Sequence, residues 1–129
     1  VNEAKRSTLT KVLTFSSIVE LGTGLVLMLA PALVVKLLLG VDTDHTAELL
    51  GRCFGISLLA LGLACLPDRQ SGGIVSAAVR AMLAYNTLIA AYLAYLGAFD
   101  HFDGVLLWPA AVLHALVGAM LLRNMMTSE

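Results

Sequence analysis

The sequence predicts an all-α integral membrane protein, an antiparallel bundle of four transmembrane helices with a short interfacial helix, forming one domain over residues 1–129. Three observations carry that expectation. Hydrophobic residues make up 59% of the 129 and charged residues 13%, against about 45–50% and about 25% in ordinary globular chains. The mean hydropathy is +0.89. The apolar residues also fall into four stretches, each near the 20 or so residues a helix needs to cross a bilayer.

The first span covers about 9–30 and closes at Pro31. The stretch 32–40, ALVVKLLLG, is too short to cross and too apolar for water, so it reads as an interfacial or re-entrant helix. A competing expectation is one longer, tilted first span, because Pro only kinks a helix in lipid. The second span, about 46–66, lies between the cap cluster Asp42-Thr43-Asp44 and the break that begins Pro67-Asp68-Arg69 and ends Gly72-Gly73. The third covers about 74–96 and closes at Gly97. The fourth covers about 105–122 with Pro109 in its first turns, where N–H groups have no intrahelical partner to lose. Ala30-Pro31-Ala32 has the small-residue spacing of a signal-peptide cleavage site. Cleavage there is not expected, since the apolar run is too long, carries Glu20 at its middle and is followed by three more spans.

Charge sets the expected orientation. Lys5, Arg6, Lys11, Arg69, Arg80 and Arg123 fall on one side, whereas Lys36 and Arg52 share the other with Asp42, Asp44, Glu48, Asp100 and Asp103. By the positive-inside rule both termini are cytoplasmic. Tyr92, Tyr95, Phe99, Phe102 and Trp108 gather near the opposite ends of the third and fourth spans, as an interfacial aromatic belt does.

Composition and motif also exclude functions. Eight Lys and Arg against nine Asp and Glu, with no basic cluster, give no surface for nucleic acid. Cys53 and Cys65 on one helix stand roughly 18 Å apart at 1.5 Å per residue, too far to pair, and they form no zinc motif. Asp100-His101-Phe102-Asp103 is too short to define a metal centre, and Met120, Met125 and Met126 read as lipid contacts. There is no nucleophile–base pair and no glycine-rich phosphate loop. A catalytic set is therefore not expected, apart from the open case of Glu20 and His114 as membrane acid and base. The sequence leaves the identity of any cofactor unknown.

The informative residues lie at the span centres. Glu20 is central in the first span, on a stripe with Ser16, Ser17, Thr23 and Gly24. A lone carboxyl there needs a partner, a proton or a cavity. His114 is central in the fourth span beside Ala110, Ala111 and Gly118, small residues that turn its face towards other helices. Tyr85 and Asn86 are central in the third, and both can hydrogen-bond to charged groups. Arg52 lies about 6 Å from the middle of the second span, with Glu48 one turn earlier in the favourable i,i+4 order. Gly51-x-x-x-Gly55, with Gly62, marks a close-packing strip.

Glu20, Arg52, Tyr85, Asn86 and His114 are thus expected to form one polar layer, with Glu20 and Arg52 as its charged pair. Such a layer would bind a small polar or anionic molecule or relay protons. Alternatively it is packing glue in an accessory subunit of a larger membrane complex. Ala111-x-x-x-Ala115-x-x-x-Ala119 offers a further small-residue strip, so a homo-oligomer or a membrane-complex subunit is expected as partner besides lipid.

In size, in its four spans and in the run Phe54-Gly55-Ile56-Ser57-Leu58-Leu59-Ala60-Leu61-Gly62, the chain resembles small bacterial four-helix membrane proteins of the DoxX-like kind. That resemblance implies a bacterial inner-membrane location. Locally, Glu20-Leu21-Gly22-Thr23 is similar to the segment around the membrane carboxylate of small multidrug resistance transporters, which implies, as an alternative function, a proton-coupled transporter of cationic drugs with the exchange carried by Glu20 alone. Arg52, His114 and the segment 31–40 are foreign to that pattern.

Overall fold

The computed structural model describes the backbone of residues 3–67 and 74–126. Among these residues the chain is all-helical, with α1 (Glu3–Leu29), α2 (Pro31–Leu39), α3 (His45–Cys65), α4 (Ile74–Ala98) and α5 (Leu107–Met126). Four of the five, α1, α3, α4 and α5, are long and apolar enough to cross a membrane. The break at 67–73 falls largely outside the described residues.

Local chemistry explains the boundaries between α1, α2 and α3 and the start of α5. Ala30 leaves the helical region, at φ −141° and ψ 63°, because the following proline ring crowds an α conformation at the preceding residue. Pro31 then opens a separate helix, so α1 does not run on as one long span. Gly40 ends α2 in the left-handed region at φ 78° and donates its N–H to Lys36 O at 2.9 Å, a closure that glycine makes without steric cost. Asp44 caps α3 by accepting from Ala47 N at 2.7 Å. α5 begins two residues later than expected, after Leu107 N donates to Gly104 O, and Pro109 sits in its first turn. The loop before it is tied to α2 by Leu106 N donating to Leu37 O at 2.8 Å.

The helices pair α1 with α3 and α4 with α5. α1 and α3 meet backbone to backbone at Gly24 and Gly55; further along, Gly62 lies against Ser17 and Leu21, and Gly51 against Leu27 and Pro31. The glycine strip of α3 is therefore the contact face. Two apolar clusters form the core. One joins Val12, Leu13, Cys65, Met82, Val117 and Leu121 from α1, α3, α4 and α5; the other joins Leu93, Leu96, Leu107 and Ala111 from α4 and α5, with Leu38 and Leu39 of α2 packed on it. Along α4 and α5 the residues between these clusters include Asn86 and His114. The polar layer thus lies between two apolar blocks.

Outward-facing positions are themselves apolar. Leu29, Leu50, Leu88, Phe99 and Met126 are each about two-thirds exposed, a pattern that suits a hydrocarbon solvent and would be costly in water. Tyr92, Tyr95 and Trp108 are exposed, whereas Phe102 packs on the α4–α5 cluster. In the alanine strip only Ala111 is buried; Ala115 and Ala119 face outward.

Candidate functional site: a buried carboxyl between three helices

Among the described residues, Glu20, Asn86, Ser16 and Ser17 are the buried polar side chains, each no more than 1% exposed. α1 supplies Ser16, Ser17 and Glu20 because residues three and four apart share a helix face, and that face is turned inward by the contacts at Gly24 and Gly62. α4 brings Asn86 and Tyr85, and α5 brings His114.

Asn86 is the hub. Its Nδ2 donates to the Met82 carbonyl at 2.8 Å and to Ser16 Oγ at 3.2 Å, and its Oδ1 lies 2.8 Å from His114 Nδ1. Ser16 in turn donates to Met82 Sδ at 3.5 Å. One amide therefore ties α1, α4 and α5 together, using both of its hydrogens and its oxygen. The Tyr85 ring meets the His114 ring edge-on, with centroids 5.8 Å apart and planes at 82°, an arrangement aromatic quadrupoles favour.

Glu20 contrasts with this satisfied network. Its Oε1 lies 3.9 Å from His114 Nδ1, and the phenol of Tyr85 interacts with the carboxyl from α4. Neither carboxyl oxygen nevertheless completes a hydrogen bond, and Ser17 Oγ is in the same state. Buried polar atoms are nearly always bonded, so an orphan carboxyl marks a place where a proton, a donor or a rearrangement is expected.

The structure brings together four of the five residues singled out from sequence: Glu20, Tyr85, Asn86 and His114. Arg52 is the correction. Its guanidinium is 3.9 Å from Glu48 and partly exposed, and no ion pair joins it to Glu20 among the described residues. The reason lies in α3 packing. Gly55 must face Gly24 for the backbones to meet, which sets Arg52 level with Leu27, roughly 10 Å along the axis from Glu20 at 1.5 Å per residue. The expected Glu48–Arg52 i,i+4 pair does form. Ser16 and Met82 belong to the network although neither was named for the site. Ser16 was readable from its position one turn before Glu20, while Met82 contributes a carbonyl and a sulfur that no polarity pattern reveals.

Among the described residues, no group of three His, Cys, Asp or Glu side chains is placed to hold a metal ion. No protein-family profile matches the chain, and comparison with curated proteins and with solved structures finds no match either. The chemistry of the layer must therefore be read from its own geometry.

Proposed function

We propose that the chain is an integral membrane protein of the bacterial inner membrane, an antiparallel four-helix bundle with α2 at the interface and both termini cytoplasmic, in which Glu20 takes up and releases a proton inside the membrane. The observation that carries the reading is the buried Glu20 carboxyl, 1% exposed and with neither oxygen hydrogen-bonded. An ionised carboxylate without donors or counter-ion is costly in such surroundings, whereas the neutral acid is tolerated. Releasing the proton calls for a donor to turn towards the oxygens, and the Tyr85 phenol stands against the carboxyl from α4. The reversed order of contacts along α1 and α3, and the apolar outer surface, support the bundle and its membrane setting.

Binding of an anion draws less support from the geometry, because Arg52 lies 3.9 Å from Glu48 rather than at Glu20. A packing role is the second reading, favoured by the way Asn86 fastens three helices; in that case the protein is an accessory subunit or a homo-oligomer, and the outward Ala115 and Ala119 would suit such contacts. The proton reading is tested by counting protons. Protein reconstituted in lipid and titrated across the pH range in which it stays folded should bind one proton more than Glu20→Gln does. Equal counts would overturn the proposal.

A further inference from the structure

The hydrogen bonds of Asn86 fix the tautomer of the neutral His114 ring. A backbone carbonyl only accepts, so the Asn86 atom 2.8 Å from Met82 O is the amide nitrogen. That fixes the amide and aims Oδ1 at His114. Oδ1 also only accepts, so His114 Nδ1, 2.8 Å away, carries a hydrogen. A neutral imidazole has one N–H, which leaves Nε2 with a bare lone pair. The contacts of the ring run through Nδ1 and the edge-on Tyr85, and 13% of the His114 side chain stays accessible against 1% for Glu20.

We propose that Nε2 of His114 is a second proton-binding site of the layer, and that Asn86 is the positioning residue that creates it by holding the ring in the Nδ1–H form. The inference rests on the reading of Glu20 as a proton carrier. A proton gained at Nε2 makes an imidazolium whose Nδ1–H stays on Asn86, 3.9 Å from Glu20 Oε1. If Glu20 then gives up its proton, the layer returns from one positive charge to net neutrality and the two groups form an ion pair. The ionisable groups facing the ring are Glu20 from α1 and Tyr85 from α4. Arg52 of α3, engaged with Glu48, stands well away.

Nitrogen-15 NMR of the full chain labelled at histidine tests this directly. There are three histidines, and His114→Gln identifies the signal that belongs to position 114. With the ring neutral, the wild type should show Nδ1 protonated and Nε2 bare, the reverse of the form free histidine favours, and Nε2 should take up a proton as the pH is lowered. Asn86→Ala should move the hydrogen to Nε2, whereas Glu20→Gln should leave it on Nδ1. An Nε2–H ring in the wild type, a ring that never charges while the protein is folded, or an Asn86→Ala spectrum identical to wild type would each overturn the proposal. The wild-type spectrum decides even if Asn86→Ala does not fold. The proton count for Glu20→Gln is a separate measurement, so failure of the Glu20 reading is told apart from failure of this one.

Discussion

Glutamine has the shape of a neutral carboxylic acid and no proton to exchange, so Glu20→Gln separates the two roles open to the layer. If Glu20 is a neutral, proton-carrying acid, the substitution changes stability by less than about 1 kcal/mol, since no buried pair is broken. If it is one half of a buried ion pair, the loss is about 3–5 kcal/mol. Thermal unfolding in detergent distinguishes these outcomes, and the unpartnered oxygens predict the small one. Asn86→Ala should behave oppositely. It strands the His114 N–H and removes the donor to Ser16, for an expected loss of about 1–3 kcal/mol by the same measurement. These residues were legible in the sequence because a polar side chain at the centre of an apolar span has few ways to be tolerated. The position of Arg52 was not, because a long cationic side chain two turns into a span can reach its partner outside the core as readily as within it.

At the scale of elements, the packing depends on how closely α1 approaches α3. A Cβ built on Gly55 would lie 2.7 Å from Gly24 O and 2.8 Å from Met28 N, and backbone atoms cannot swing aside as a side chain can. Gly55→Ala should therefore push the helices apart and destabilise by about 1–3 kcal/mol. Gly22 lies on the same α1 helix but has nothing within 4 Å of the added carbon. Gly22→Ala should be neutral or stabilising by roughly 0.5–1 kcal/mol, the ordinary gain from replacing glycine inside a helix. Paired unfolding measurements check both, and equal effects would contradict the packing described. The Gly51-x-x-x-Gly55 spacing announced a close contact in advance. Its partner on α1 was less legible, since Gly22 and Gly24 look alike in sequence and only the rotation set by Ser17, Glu20 and Leu27 turns one inward and the other out.

At the scale of the whole molecule, the four helices long and apolar enough to cross a membrane were readable because their composition alone separates them from the polar breaks. Which faces pack was not readable, because lipid and protein interior reward the same residue types. Leu50 is 66% exposed and Leu58 2% exposed on one helix, and nothing in their identity distinguishes them. The orientation is checked by labelling single cysteines from either side of the membrane in a background lacking Cys53 and Cys65. Asp42→Cys and Gln70→Cys should label from opposite faces; labelling from the same face would contradict the four-span topology. The most direct test of the central claim is infrared difference spectroscopy of the carboxyl stretch, recorded on protein in lipid bilayers during a pH step. The account predicts a protonated-carboxyl band that is lost as the pH rises and is absent from Glu20→Gln. A Glu20 carboxyl that shows no change of protonation while the protein stays folded would contradict it.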